Sequence, residues 1–165
     1  MVIGFAGWSG SGKTTLIKNI IPILKNLNIS VSTIKHAHEG FEVDKPGKDS
    51  FIHRESGAKE VLISSNKRFA LMHEYQNSEK SLNELLNKLE PVDIIFVEGW
   101  KKENIRKIEV YRSCINKPLL AQKDKNIIAI ATDDRNLDIT HTTILDLNNY
   151  NEVAIFIKKL LDNEI

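Results

Sequence analysis

A glycine-rich motif near the amino terminus restricts the fold of this chain more than any other feature. Residues 7–14 read Gly-Trp-Ser-Gly-Ser-Gly-Lys-Thr, the G-x-x-x-x-G-K-[ST] pattern of a phosphate-binding loop. A short apolar run, residues 2–6, precedes the motif, and residues 15–21 after it have the spacing of a helix. A strand, a glycine-rich loop and a helix in this order predict a P-loop nucleotide-binding fold.

The residue types of the motif suit phosphate binding. Gly7, Gly10 and Gly12 lack Cβ atoms, so successive backbone N–H groups can turn toward one point. A helix that begins near Gly12 adds unpaired N–H groups and a partial positive charge. Lys13 supplies a full charge for the outer phosphates, and the Thr14 hydroxyl suits Mg²⁺. The alternative, a flexible Gly-Ser loop, makes no use of this lysine and threonine.

Composition limits the class of protein. The chain has 165 residues, which favours one domain over residues 1–165. With 23 basic and 22 acidic side chains the net charge is +1, so no charge excess indicates a nucleic-acid or membrane surface. The single cysteine, Cys114, excludes an internal disulfide, and the apolar runs are too short to cross a bilayer. No signal peptide is recognised, and we expect a cytoplasmic protein.

Predicted strands and helices alternate along the chain. Residues 92–97 form a nearly continuous apolar run, which is typical of a central parallel strand. Residues 59–73 contain two strands joined by a tight turn, and such strands must be antiparallel. Asn28 is predicted to end the first helix in a left-handed conformation, and Ser78 to cap a helix over residues 79–90. Residues 105–112 alternate weakly, as an edge strand does. The pattern predicts a three-layer α/β P-loop fold, mostly parallel, with an antiparallel insertion.

Acidic residues at strand ends are the next candidates for the site. Ligands of such sheets bind beyond the carboxyl ends of the strands. Glu98 ends the run 92–97 on that side, so it would hold Mg²⁺ through water or orient the attacking water; the alternatives are a helix cap or a surface ion pair. Asp93 lies at the opposite end and is expected to be structural. Asp44 and Asp49 are second candidates for Mg²⁺, with turn or capping roles as the alternative.

Three other features could contribute to a binding site. His36 and His38 follow the second strand, and two histidines alone make a poor zinc site, so a polar ligand-binding loop or plain surface is favoured. Asp133 follows a late strand and could accept hydrogen bonds from the N1 and N2 donors of guanine. Trp8, inside the glycine-rich motif, could close over the site, form an interface or pack on its own sheet.

Beyond the motif, three further stretches occur in a recognisable order. They are Ile34-Lys35-His36-Ala37-His38, Asp44-Lys45-Pro46-Gly47-Lys48-Asp49-Ser50 and Val97-Glu98-Gly99-Trp100-Lys101. With the motif they resemble the molybdopterin-guanine dinucleotide biosynthesis adaptor proteins, the MobB family, over about residues 2–135. The loop alone is shared by many ATPases and kinases, whereas the Lys-His-x-His and Asp-Lys-Pro-Gly-Lys-Asp-Ser stretches are far more specific.

The resemblance implies a GTP-binding protein with Mg²⁺ as cofactor and slow GTPase activity at most. It implies a homodimer that associates with the guanylyltransferase joining GMP to molybdenum-molybdopterin, with molybdopterin as a further candidate ligand. It places the phosphate site on Gly10, Ser11, Gly12, Lys13, Thr14 and Thr15. Lys13 and Glu98 would act in hydrolysis, and Thr14, Glu98 and, as a second candidate, Asp44 would hold the metal. Trp100 stands where the family often has phenylalanine.

Arginine usage agrees with slow turnover. Fast phosphoryl transfer needs extra positive charge on the γ-phosphate, often an arginine. The arginines are not clustered in a loop, so a partner would supply the missing charge: Arg54, Arg68, Arg106, Arg112 and Arg135. A small-molecule or nucleotide kinase is the main alternative, but only residues 101–107 could serve as its lid. A binding module with a vestigial loop is the third class, and it would show no Mg²⁺-dependent nucleotide affinity.

Overall fold

The computed structural model describes residues 1–37, 40–134, 136–137, 139 and 142–163. Within these residues the strands are β1 (Val2–Ala6), β2 (Val31–Lys35), β3 (Glu60–Ser64), β4 (Phe69–His73), β5 (Ile94–Glu98), β6 (Lys107–Tyr111), β7 (Ile127–Thr132) and β8 (Thr143–Asp146). The helices are α1 (Lys13–Asn26), α2 (Asp49–Glu55), α3 (Leu82–Leu86) and α4 (Tyr150–Asp162), with 3₁₀ turns at Ser113–Ile115 and Leu120–Gln122. None of these helices has the length and apolar character needed to span a bilayer.

The chain divides into two compact units. The larger unit contains Met1–His36 with Leu86–Ile165, and the smaller contains Ala37–Leu85. In the larger unit six parallel strands follow the order β2-β5-β1-β6-β7-β8. In the smaller unit β3 and β4 form an antiparallel pair. The predicted α/β fold with a mostly parallel sheet and an antiparallel insertion is therefore confirmed, whereas one domain over residues 1–165 stays a prediction.

The core of the larger unit lies on one face of the sheet. Inward-facing side chains of the strands pack there against α1 and α4, which also contact each other. Phe5 of β1 and Phe96 of β5 meet edge to face, with ring centroids 5.0 Å apart. A smaller apolar cluster around Ile130 covers the opposite face. Strand β1 thus carries buried residues on both faces, and the carboxyl ends of the neighbouring strands β1 and β5 present the glycine-rich loop and Glu98.

Strand β6 is an interior strand, and the prediction that residues 105–112 form an edge strand is wrong. It pairs with β1 on one side and β7 on the other. Its charged side chains misled the sequence interpretation, because Glu109 and Lys107 are buried with partners from later in the chain. Glu109 accepts hydrogen bonds from the backbone N–H groups of Leu120 and Ala121, both at 2.8 Å. Burial raises the pKa of Glu109 against the opposing effect of these two donors.

Two local predictions have different outcomes. Asn28 adopts the predicted left-handed conformation after α1, with φ of 59°. The helix predicted over residues 79–90 is short, and its predicted cap at Ser78 is wrong, because Ser81 and Glu84 form the capping box at its start. After α3 the N–H of Leu89 donates to Leu86, three residues back, so the α-helical pattern is not continued.

Candidate phosphate-binding site

The glycine-rich loop connects β1 to α1 at the carboxyl edge of the sheet. Gly7, Gly10 and Gly12 have φ values of 144°, 80° and 95°, so each adopts a conformation that other residues rarely do, as predicted. Gly12 is the residue that caps α1. A Cβ atom on Gly7 would lie 2.4 Å from the carbonyl oxygen of Val110 in β6. The loop therefore begins in direct contact with the neighbouring strand and can begin only with glycine.

Lys13, the first residue of α1, is folded back over this loop. Its Nζ donates to the carbonyl oxygens of Gly7 at 2.9 Å and Trp8 at 3.0 Å. Burial lowers the pKa of Lys13; Glu98 raises it, and Lys101 and Lys35 lower it further. Its ammonium group is partly desolvated and lies between two carbonyl groups, where phosphate oxygens would meet the loop. Hydrogen bonds from such a cation to an anion are stronger than those to neutral carbonyl oxygens.

Glu98 lies at the carboxyl end of β5, on the same side of the sheet as the loop, as predicted. Its Oε1 is 3.5 Å from Oγ1 of Thr14. Asp93 lies before the other end of the strand, where its carboxylate accepts hydrogen bonds from the N–H and hydroxyl of Ser30. Thr14 and Glu98 thus offer two oxygen ligands side by side, and oxygen is the ligand that Mg²⁺ prefers.

The loop fits a phosphate group with its metal. Three glycines leave the inner surface without side chains, and the hydroxyl of Ser11 is buried with no hydrogen-bond partner within the described part of the chain. Thr15 is exposed, and its carbonyl accepts from Asn19. Across the described residues, no three His, Cys, Asp or Glu side chains gather in a way that could hold a metal ion. A metal here would use Thr14, Glu98, phosphate oxygens and water.

Among the other predicted carboxylates, Asp44 and Asp133 have partners. Asp44 belongs to the smaller unit, where its two oxygens accept from Nε and Nη2 of Arg54 at 3.2 and 3.3 Å. Asp49 is the first residue of α2. Asp133 follows β7 in the larger unit, and its Oδ1 accepts the N–H of Ser113 at 3.0 Å. Metal binding by Asp44 and guanine binding by Asp133 stay predictions.

The aromatic residues around the loop are also engaged. The indole Nε1 of Trp8 donates to the carbonyl of Pro118 at 2.8 Å. The ammonium groups of Lys101 and Lys117 lie 5.6 and 5.8 Å from the centroid of the Trp8 ring. Trp8 therefore joins the loop to the segment after β6 and brings two further cations to it. His36 packs against Trp100 with ring centroids 5.0 Å apart, and His38 lies outside the described residues.

Arg112 is the residue that the sequence interpretation missed. It follows β6, and a Cβ atom on Gly12 would lie 3.4 Å from its Nε and 3.8 Å from its Nη2. The guanidinium thus lies against the glycine that caps α1. The sequence could have pointed to Arg112, because this arginine comes directly after a strand that alternates in polarity. Since that strand was assigned to the edge of the sheet, Arg112 was not considered for the site.

Comparison with known proteins identifies relatives over the whole chain. The profile of the family described as MobB, Molybdopterin guanine dinucleotide synthesis protein B, matches residues 2–133. A protein of Escherichia coli strain K12 named Molybdopterin-guanine dinucleotide biosynthesis adapter protein is 38% identical over 168 residues, covering 99% of this chain and 94% of that protein. A protein of the same name from Haemophilus influenzae is 40% identical over 162 residues, covering 97% and 89%.

A solved structure agrees with these sequence relatives. The crystal structure of molybdopterin-guanine biosynthesis protein B (mobB) superimposes with a TM-score of 0.77 at 26% sequence identity. The match covers 97% of this chain and 99% of that one.

Proposed function

Because this chain belongs to the MobB family of molybdopterin guanine dinucleotide synthesis proteins, we propose that it is an adapter in molybdopterin-guanine dinucleotide biosynthesis that binds GTP with Mg²⁺ and hydrolyses it slowly. One observation carries the nucleotide-binding part of the proposal. Lys13, Thr14 and Glu98 come together at the start of α1, beside a loop in which Gly7, Gly10 and Gly12 have positive φ values. This combination of donors, charge and hard oxygen ligands suits a nucleoside triphosphate.

Each residue has a distinct role in the proposed site. The N–H groups of residues 10–15 and the first turn of α1 bind phosphate oxygens. The ammonium group of Lys13 donates to phosphate oxygens in place of its two carbonyl acceptors, so that its charge is paired with an anion. Thr14 and Glu98 hold the metal, directly or through water, and Glu98 also orients the attacking water. When bound, Mg²⁺ would neutralise part of the negative charge of the phosphates.

Slow hydrolysis and an adapter role support each other. A protein that presents GTP to another enzyme benefits from keeping the nucleotide intact. We propose that the partner is the guanylyltransferase that joins GMP to molybdenum-molybdopterin and that the chain forms a homodimer. Light scattering on the purified chain, alone and mixed with that enzyme, tests both statements. A monomer that gives no complex would contradict them.

The central test is equilibrium titration of the protein with GTP and ATP in the presence and absence of Mg²⁺. We expect Mg²⁺-dependent binding with preference for GTP. Replacing Lys13 by alanine removes a half-buried charged partner, which costs about 2–4 kcal/mol, or roughly 30- to 1000-fold in affinity. Lys18→Ala, which removes an exposed charge from the same helix, is the matched control and keeps wild-type affinity.

Glu98→Gln separates binding from hydrolysis. The amide keeps the shape of the side chain but loses the charge, so we expect GTP to bind while turnover slows. Normal turnover in this variant would remove Glu98 from the mechanism. Multiple turnover of phosphate onto a small acceptor would replace the adapter by the kinase alternative, and absence of Mg²⁺-dependent affinity would indicate a vestigial loop.

A further inference from the structure

We propose that Arg112 is a second cation of the phosphate site, that it binds the α- and β-phosphates of the nucleotide, and that Asp133 positions it. The inference rests on the proposed nucleotide-binding function and adds to it a residue outside the glycine-rich motif. It assigns Asp133 a role other than recognition of the base.

The position of Arg112 follows from the pairing of β6 with β1. In the parallel register Ala6 lies beside Glu109, so the residues that follow Ala6 and Glu109 run along the same edge of the sheet. The carbonyl of Val110 reaches the start of the loop at Gly7, and two residues later the side chain of Arg112 reaches its end at Gly12. Both ends of the loop therefore contact β6 or the residue that directly follows it.

The guanidinium is held in this position by Asp133. Nη1 of Arg112 lies 3.7 Å from Oδ2 of Asp133, and Oδ1 of the same carboxylate accepts the N–H of Ser113. The side chains of Arg112 and Asp133 are only 31% and 24% exposed, so the pair is partly shielded from water. One carboxylate thus fixes both the backbone after Arg112 and the direction of its side chain.

The local charge indicates what the arginine is for. The first turn of α1 carries a partial positive charge, and Lys13, Lys35 and Lys101 add full charges that act on one another. A further cation beside this helix end is repelled, and the carboxylates of Glu98 and Asp133 offset only part of that repulsion. A polyphosphate bound at the loop would relieve it, because its negative charge lies between the cations.

The place of Arg112 along the loop determines which phosphates it meets. In P-loops the backbone N–H groups cradle the α- and β-phosphates, whereas the lysine reaches the β- and γ-phosphates. Arg112 lies against Gly12, within the backbone part of the cradle, and not beyond Lys13. Its planar donors suit two oxygens of one phosphate group. Arg112 would therefore bind GDP and GTP alike and would leave the γ-phosphate to other groups.

Titration of Arg112→Ala with GDP, GTP and tripolyphosphate, each with Mg²⁺, tests the assignment. We expect the affinity for all three ligands to fall by a similar factor, about 10- to 100-fold. Arg112→Lys keeps the charge without the paired donors and recovers part of the affinity. Arg106→Ala, which removes an exposed arginine before the other end of β6, is the matched control.

The positioning role of Asp133 is tested with Asp133→Asn. The amide oxygen can still accept the N–H of Ser113, but the charge that holds Arg112 is lost. We expect a loss of about two- to fivefold with tripolyphosphate as well as with GTP, and no further loss when Arg112 is already alanine. A loss with GTP but not with tripolyphosphate, which has no base, would return Asp133 to guanine recognition and overturn this role.

The outcomes separate this inference from the proposed function. Wild-type affinity for GDP in Arg112→Ala, or a loss confined to GTP and its turnover, would overturn the placement of Arg112 on the α- and β-phosphates. If Lys13→Ala abolishes binding at the same time, the proposed function stands and only the inference fails. A wild-type protein that binds none of the three ligands would overturn both.

Discussion

The contact between the glycine-rich loop and β6 predicts a large difference between two glycine substitutions. A Cβ atom on Gly7 would lie 2.4 Å from the carbonyl oxygen of Val110 and 2.7 Å from Oγ of Ser11, whereas a Cβ atom on Gly10 would have no atom within 4 Å. Ordinary carbon–oxygen contacts are about 3.3 Å or longer. Gly7→Ala must therefore move a strand carbonyl or the loop by about 0.9 Å, and Gly10→Ala need move nothing.

The expected costs follow from this geometry. Displacing packed backbone costs about 1–3 kcal/mol, and the φ of 144° adds backbone strain of about 1–3 kcal/mol, so Gly7→Ala should lower the free energy of unfolding by about 2–6 kcal/mol. Gly10→Ala carries only the left-handed penalty of about 1 kcal/mol at its φ of 80°. For a chain of this length the melting temperature should fall by roughly 4–24 °C for Gly7→Ala and roughly 2–4 °C for Gly10→Ala.

Urea unfolding followed by tryptophan fluorescence measures this difference. The two tryptophans, Trp8 and Trp100, both belong to the larger unit, so the signal reports on the unit that contains the loop. The experiment is performed without nucleotide, because a bound ligand would add its own stabilisation. Equal losses for the two variants, or a smaller loss for Gly7→Ala, would refute the argument that Gly7 is required by contact with β6.

Three further predictions concern the charged groups of the sheet. Glu109→Ala leaves two buried N–H groups without acceptors and should destabilise the protein by about 2–5 kcal/mol in urea unfolding, with Glu109→Gln losing about half as much; equal losses would contradict the two-donor account. Lys107→Met should cost about 1–3 kcal/mol by leaving Asp124 unpaired, and this loss should shrink in an Asp124→Asn background; an unchanged loss would show that the pair is not coupled. The hydrogen bonds from Ser30 lower the pKa of Asp93, so the carboxylate stabilises the fold above pH 3.8, its ordinary pKa, and this contribution is lost as the pH falls through the lower folded-state pKa. The free energy of unfolding of Asp93→Asn should therefore fall less on acidification than that of the wild type. An identical decrease in both proteins would contradict this.

The parts of the site that could be predicted are those with local causes. The glycine-rich loop, the helix after it and the left-handed Asn28 depend on residues close together in sequence, and all were predicted. Glu98 could be placed because an apolar strand ends at it and the carboxyl edge of a parallel sheet is shared.

What escaped prediction depends on partners distant in sequence. Burial of Glu109 is possible only because the backbone of Leu120 and Ala121 returns to it, and nothing in residues 105–112 shows that this will happen. The same misassignment removed Arg112 from consideration, since a residue after an edge strand would not reach the loop. The start of α3 at Ser81 was missed because Ser78 and Ser81 are both acceptable caps, and only the reciprocal bonds with Glu84 distinguish them.

The connection between β6 and β7 has a practical consequence for anyone who modifies this protein. Stretches without regular structure are the usual places to insert a tag, a label or a new chain terminus. Here the stretch is fastened at Pro118 by Trp8 and at Leu120 by Glu109, so an insertion there would pull on the loop and on a central strand at once. The exposed turn at residues 65–68, between β3 and β4, is the safer position for such a graft.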